Sequence, residues 1–458
     1  MKLGVVILAA GQGTRMKSRL PKVLHPVAGK PMLAHVIETA QRLDPETIVL
    51  VYGHGGELVR ERMQECDVEW ALQAEQLGTG HAVQQAMPLL QEVDQVLVLY
   101  GDVPLLRAST LERLLEAAAD TRMGMLTVEL EDATGYGRII RDEYERIIRV
   151  VEHKDASTEE LHIREINAGI MLIGCEELGD WLAEVRNDNA QNEYYLPDII
   201  PMAVGEGHVI ASVHPDDVDE VEGINDRVQL SRLERVYQSR QAESLMRAGA
   251  TLVDPARLDI RGNVSVGQDV VIEPNVILEG HVELGDGVHV GANNVLRDVV
   301  VGSGCHILEN CVIEQATIGA QCNIGPFARV RPGTELAGNV KIGNFVETKN
   351  AHIAEGSKVN HLSYIGDTSM GRDVNIGAGT ITCNYDGAFK HRTVIGDNAF
   401  IGSNTQIVAP VTIEAGATIG AGSTITKTAP AGKLTLCRTT RQTTIEHWVR
   451  PSKTREKD

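Results

Sequence analysis

From Ile260 onward an aliphatic residue returns at every sixth position, through Val266, Ile272, Leu278, Leu284, Val290 and Leu296. The register slips by one residue and resumes at Val301, Ile307 and Ile313. It slips again to Ile318, Ile324, Val330, Leu336 and Ile342, and returns at Ile353, Val359 and Ile365. A last run follows at Ile395, Ile401, Ile407, Ile413, Ile419 and Ile425, and glycine often comes directly after the aliphatic residue, as in "IGD", "IGS" and "IGA". A hexapeptide period is the signature of a parallel β-helix. Each unit supplies one short flat side and one corner, three sides complete a coil, and the aliphatic residues stack inward from coil to coil. Glycine is expected at the tight corners, where a positive φ is wanted. The aromatic content of 3% fits a narrow prism with little room for rings.

Between Thr382 and Ile395 the lattice is broken by "CNYDGAFKHRTV", a polar loop that carries Asn384, Tyr385, Lys390 and His391. A loop leaving a regular solenoid is a common place for a binding site. The tail "CRTTRQTTIEHWVRPSKTREKD" is locally basic. Solvation explains that charge as readily as phosphate binding does.

The N-terminal half reads differently. Up to about Ile224, "GVVILAAG", "TIVLVYG", "QVLVLYGD", "MGMLTVEL" and "AGIMLIG" read as strands, with helical stretches such as "KPMLAHVIETAQRL" and "TLERLLEAAAD" between several of them. Alternation of this kind implies a mainly parallel sheet covered by helices, with ligands gathering at the carboxyl ends of the strands. "DRVQLSRLERVYQSRQAESLMRAGA" is charged and free of proline, and reads as a connecting helix. The expected organisation is therefore an α/β Rossmann-like domain over residues 1–225, a linker helix over 226–250, and a hexapeptide β-helix with its tail over 251–458.

A formal charge of −20 argues against a general nucleic-acid or anionic-membrane surface. Any anionic substrate must then be held by local basic residues. Seven scattered cysteines include no C-x-x-C pair, which suggests reduced thiols and a cytoplasmic setting. The apolar start "LGVVILAAG" is short and is followed by "GQGTRMKSRLPK", so neither a signal peptide nor a membrane span is expected.

In "ILAAGQGTRM" an apolar strand runs directly into a glycine-rich turn. The third glycine of G-x-G-x-x-G is replaced by Met16, and no G-K-[ST] is present, so a dinucleotide fingerprint and a Walker loop are both excluded. What remains is a loop whose backbone N–H groups can face phosphate oxygens, with Arg15 and Lys22 nearby. "LAAGQGTRMKSRLPK" resembles the L-x-x-G-x-G-T-x-M signature, with P-K following, of sugar-phosphate nucleotidylyltransferases. Joined to a hexapeptide β-helix, it resembles the bifunctional bacterial enzymes that are both UDP-N-acetylglucosamine pyrophosphorylases and glucosamine-1-phosphate N-acetyltransferases. The resemblance covers nearly the whole chain and implies a left-handed β-helix.

For uridylyl transfer, two highly anionic reactants must meet in line, so cations and positioning supply most of the catalysis. The resemblance implies that Arg15 and Lys22 neutralise the triphosphate of UTP. Asp102 follows the strand in "LVLYGDVPLL", where a carboxylate can hold Mg2+ without burying an unpaired charge. The resemblance adds Asn225, in "VEGIND", as the second metal ligand. It also implies that Leu8, Ala9, Ala10, Gly11, Tyr100 and Gly101 line the nucleotide site, and that Gln73 with Gly78 and Thr79, in "LQAEQLGTGHA", reads uracil. An amide can both donate and accept, as the uracil edge requires. Gly137, Glu152 and Asn167 match the sugar-binding positions.

Acetyl transfer needs a base for the 2-ammonium of glucosamine 1-phosphate, and histidine is the usual one. His361, in "VNHLSYIGD", matches that base, with Glu347 about one coil earlier expected to orient it. Arg331 and Lys349 are eighteen residues apart, the length of one regular coil, and are expected to stack as a phosphate clamp. The resemblance assigns them, with Tyr364 and Asn375, to the sugar phosphate, and Lys390 is a plausible further contact. It assigns Asn384 and Tyr385 to the amino sugar and acetyl-CoA, and Ala378, Ser403, Ala421 and Arg438 to acetyl-CoA.

The leading expectation is a cytoplasmic enzyme with two activities. It acetylates glucosamine 1-phosphate, then uridylylates the N-acetylglucosamine 1-phosphate with UTP and Mg2+. The UDP-N-acetylglucosamine formed feeds cell-wall and lipopolysaccharide synthesis. By resemblance, the β-helices pack as a homotrimer. Two alternatives are a single-activity nucleotide-sugar pyrophosphorylase with a structural β-helix, and a non-catalytic scaffold.

Overall fold

In the first unit the apolar runs become the strands Leu3–Leu8, Thr47–Tyr52, Gln95–Tyr100, Gly124–Glu129 and Glu165–Gly174. They run unbroken because both faces of this sheet are buried. Val5, Ile7, Leu97 and Leu99 point to one face, where Leu33, Val36 and Ile37 of helix Met32–Gln41 and Leu111 and Leu114 of helix Ala108–Ala117 cover them. Val6, Leu8, Val96 and Val98 point to the other, under Ala82, Val83 and Ala86 of helix Thr79–Ala86 and Leu178 and Leu182 of helix Cys175–Glu184. Leu97 and Val98 are both fully buried. Each contributes about 1.5–3 kcal/mol relative to exposure, so a polar replacement on either face would be costly.

Strand Leu3–Leu8 lies between Thr47–Tyr52 and Gln95–Tyr100 and is parallel to both, while Glu165–Gly174 runs antiparallel beyond Gln95–Tyr100. The chain therefore departs from the central strand in both directions, which opens a crevice outside the carboxyl ends of Leu3–Leu8 and Gln95–Tyr100.

The structure is a computed structural model that describes residues 2–53 and 55–437. It divides into two units, Met1–Arg240 and Gln241–Asp458. The division falls within the helix Arg227–Arg247, which covers most of the stretch read as a linker.

The second unit is a left-handed parallel β-helix. One of its ladders stacks Ile272, Val290, Ile307, Ile324, Ile342, Val359, Ile376, Ile401 and Ile419 from coil to coil. The one-residue slips in the period are coils shortened to seventeen residues, as from Val290 to Ile307. The step from Ile376 to Ile401 is twenty-five residues and contains the polar loop. Thr348 and Thr382 occupy inward positions where the period would place aliphatic residues, and both are fully buried. Their hydroxyls are satisfied, since Thr382 Oγ1 accepts from Gly366 N at 2.8 Å and Thr348 Oγ1 lies 3.2 Å from Thr334 Oγ1.

Glycine does take positive φ in the β-helix, as at Gly287, Gly304, Gly356 and Gly379, and asparagine shares that conformation at Asn275, Asn293 and Asn310. Gly285, Gly302 and Gly319, which follow the aliphatic residue, are needed for close approach instead. A Cβ on Gly302 would lie 2.7 Å from Ala320 N on the next coil.

The seven cysteines are free thiols. Among the described residues no helix is long and apolar enough to cross a membrane.

Candidate active sites

The glycine-rich loop leaves the end of strand Leu3–Leu8 and returns Lys22 to the crevice. Gly13 makes that return possible. It sits at φ +60, and a Cβ there would lie 2.5 Å from Lys22 Cβ. The Lys22 ammonium contacts the Asp102 carboxylate and donates to Asn225 Oδ1 at 3.1 Å. Arg15 Nη2 donates to the same amide oxygen at 2.9 Å. Ile224 N donates to Asp102 O at 2.9 Å, which ties the backbones that carry Asp102 and Asn225. Two cations thus face one carboxylate and one amide oxygen, with Lys22 and Asp102 largely shielded from solvent.

Beside them is a cleft of about 290 Å³ lined by Leu8, Ala9, Ala10, Gly11, Lys22, Gln73, Gly78, Thr79, Tyr100 and Asp102, all of them read as site residues. Gln73 is buried, and its Nε2 donates to Gly78 O at 3.1 Å. Gly78 has φ +114, and a Cβ there would meet Tyr194 O at 2.5 Å. Thr79 opens helix Thr79–Ala86 and accepts from Leu196 N at 3.0 Å. Gly101 lies behind the cleft, where its N–H donates to Leu8 O at 2.9 Å. Gln76 and Glu193 also line the cleft and were not read from the sequence. No spacing or motif singles out Glu193, which is distant in the chain.

The sugar-position residues converge as well. Asn167 N donates to Gly137 O at 2.9 Å, and a Cβ on Gly137 would lie 3.0 Å from Glu152 Oε1. Tyr100 packs on Gly169, which connects this group to the cleft. Burial, followed by the charges of Asp198, Asp155 and Glu193, raises the Glu152 carboxyl above its ordinary value. Burial, reinforced by Asp155, pushes Asp198 up to about 6. Glu152, Asp155 and Asp198 line a second, polar cavity of about 920 Å³ together with Arg149, Arg186 and Tyr195.

In the β-helix, register pairs Val330 with Thr348, so the following Arg331 and Lys349 stand on adjacent coils, as the spacing suggested. The Lys390 ammonium, and behind it Arg331, hold Lys349 below the ordinary lysine value. Tyr364 joins the cluster through its hydroxyl, which accepts from Asn384 Nδ2 at 3.4 Å. Asn384 is buried at the root of the loop and donates to Asp367 Oδ2 at 2.5 Å. Asp386 braces the loop by accepting from Ala388 N, Phe389 N and His391 Nε2 at 2.7–2.8 Å, while Tyr385 stays exposed.

His361 is exposed at the end of strand Lys358–His361, and Asn375 lies on the next coil of the same ladder. Gly379 N donates to His361 O, Asn404 N to Ala378 O and Gly422 N to Ser403 O. Ala378, Ser403 and Ala421 therefore form a column of small residues that starts at His361. The expected partner of His361 is corrected. Glu347 accepts from Arg331 Nη1 at 2.6 Å and is paired in register with Tyr364, whereas His361 Nδ1 lies 2.9 Å from Asn344 Oδ1. Arg438 lies outside the described residues.

Residues 5–161 match the family profile of the MobA-like NTP transferase domain, residues 260–340 that of the GMPPB C-terminal domain, and residues 392–427 that of the bacterial transferase hexapeptide (six repeats). The chain is 57% identical to "Bifunctional protein GlmU" of an Azoarcus species, over 98% of this chain and 100% of that one. It is 58% identical to the protein of that name from Ralstonia nicotianae, over 98% and 99%. With the protein of that name from Pseudomonas putida, the identity is 55% over the full length of both.

Proposed function

This chain belongs to the GlmU family of bifunctional proteins, and we propose that it makes UDP-N-acetylglucosamine in two steps, one on each unit. In the β-helix, the 2-amino group of glucosamine 1-phosphate attacks the thioester carbonyl of acetyl-CoA, and coenzyme A leaves. His361 takes the ammonium proton, Arg331, Lys349 and Lys390 hold the phosphate, and the Asn384–Tyr385 loop closes on the sugar and acetyl donor. The column Ala378, Ser403 and Ala421 offers backbone N–H groups and room for the acyl carrier, with Arg438 as a further contact.

In the first unit, a phosphate oxygen of N-acetylglucosamine 1-phosphate attacks the α-phosphorus of UTP, and pyrophosphate leaves. Arg15 and Lys22 offset the charge of the triphosphate. Gln73 and the Gly78–Thr79 turn read uracil, while Gly137, Glu152 and Asn167 hold the sugar. The oxygens of Asp102 and Asn225 suit Mg2+, which often takes only one or two protein carboxylates and fills its remaining positions from phosphate and water. When bound, Mg2+ supplies charge neutralisation at the phosphates. Lys22, whose ammonium contacts Asp102, would offset the charge of the triphosphate beside it.

We further assign the protein to the cytoplasm, to a homotrimer with acyl-donor sites between neighbouring β-helices, and to the supply of cell-wall and lipopolysaccharide precursor. It has no expected nucleic-acid or membrane partner.

The observation that carries the two-step reading is the stacking of Arg331 and Lys349 on adjacent coils that lead into the one carrying His361 and Tyr364. A structural solenoid has no need of such a column, and the full-length relatives are named as bifunctional, which counts against the single-activity alternative. Complementation tests this. Neither His361→Ala nor Asp102→Ala alone should convert glucosamine 1-phosphate to UDP-N-acetylglucosamine, while a mixture of the two should, because the intermediate diffuses between them. A folded variant that lost both partial reactions would defeat the division of labour.

A further inference from the structure

We propose that Asn344 is the positioning residue for His361, fixing its proton on Nδ1 and leaving the Nε2 lone pair free for the substrate ammonium; the inference rests on the role given above to His361. The two residues are direct register partners on adjacent coils, and His361 Nδ1 lies 2.9 Å from Asn344 Oδ1. An amide oxygen only accepts, so the hydrogen bond requires an N–H at Nδ1. With Nδ1 protonated in the neutral ring, Nε2 is the basic nitrogen.

Several features hold the pair in place. Asn344 is half-buried, and Leu362 N donates to its carbonyl at 3.1 Å. Gly343, just before it, lets the coils approach, because a Cβ there would lie 1.9 Å from Asn360 O. On the other side of His361, Ser363 is buried, and its hydroxyl donates to His361 O at 2.8 Å. The backbone on both sides of the imidazole is therefore set, and the remaining freedom, ring rotation and tautomer, is removed by Asn344. Glu347 cannot take this part, since its carboxylate is engaged with Arg331.

The full chain carrying Asn344→Leu should lose roughly 10- to 100-fold in kcat for acetyl transfer, the range seen when groups that orient a functional histidine are removed. KM for glucosamine 1-phosphate should stay within about twofold, since the Asn344 side chain is engaged with His361, and uridylyl transfer should be unchanged. Asn344→Asp keeps an acceptor in place and should recover most of the lost rate.

Nitrogen NMR of the histidine-labelled protein gives the direct readout, with His361 identified by the signal missing from His361→Gln. The wild type should show Nδ1 protonated and Nε2 bare, and Asn344→Leu should show a mixture of tautomers. An Asn344→Leu variant with wild-type kcat, or with an unchanged His361 tautomer, overturns the proposal. So does an Asn344→Asp variant as slow as Asn344→Leu. Failure of the wild type to release coenzyme A would instead sink the acetyltransferase reading on which the inference rests.

Discussion

Replacing Gly13 by alanine should disable uridylyl transfer through Lys22. Two costs can be separated. The first is strain from an L-residue at φ +60, about 1–2 kcal/mol of stability in the first unit. The second is displacement. The new Cβ would lie 2.5 Å from Lys22 Cβ, against at least 3.4 Å for ordinary contact, so Lys22 must move by 0.9 Å. Misplacement of a catalytic group by about 1 Å costs on the order of 100-fold in rate. Pyrophosphate release from UTP and N-acetylglucosamine 1-phosphate should fall by that factor, coenzyme A release from the same preparation should be unchanged, and thermal unfolding of the first unit checks that the variant is folded. If Gly13 acts through Lys22, adding Gly13→Ala to Lys22→Ala should cost little more than Lys22→Ala alone, because both remove the same group. A Gly13→Ala enzyme within threefold of wild type, or full additivity in the double variant, would refute the reasoning.

His361→Ala should abolish acetylation while leaving uridylyl transfer nearly intact, and Asp102→Ala should do the reverse; separate assays of coenzyme A and pyrophosphate check both. Gly302→Ala should destabilise the β-helix by roughly 3 kcal/mol, because the Cβ would press on backbone that cannot turn away, and thermal unfolding should show a lower Tm with the first unit unaffected. Asp198 gives a pH-dependent case. Its folded value of about 6 is above the ordinary 3.8, so its stabilising contribution is present below about pH 3.8 and is lost as pH rises through 6. Asp198→Asn should therefore stabilise the first unit at pH 8 by about 1 kcal/mol after solvent screening, and not at pH 4, as read from urea unfolding at the two pH values.

The β-helix was legible because its inward ladder is written in aliphatic residues at a fixed period, and a one-residue slip is visible in the sequence as a shortened coil. What the period hides is the direction of outward side chains. Glu347 lies fourteen residues before His361, which is neither a long nor a short coil, and the structure turns it to Arg331. Asn344 lies seventeen residues before His361, one short coil, and counting coil lengths through the slips would have found it. Buried threonines such as Thr348 broke the aliphatic pattern because their hydroxyls are satisfied inside the prism. In the first unit the glycine-rich motif announced Lys22 and Arg15, and strand ends announced Asp102. Glu193 and Asp198 escaped because their place in the site comes from chain folding over long separations, with no local motif to mark it.

The most direct measurement supplies the wild-type protein with glucosamine 1-phosphate, acetyl-CoA, UTP and Mg2+, and follows coenzyme A and pyrophosphate separately. Both should be released, with pyrophosphate formation dependent on acetyl-CoA. Pyrophosphate formed only from added N-acetylglucosamine 1-phosphate, with no coenzyme A released, would contradict the two-step account.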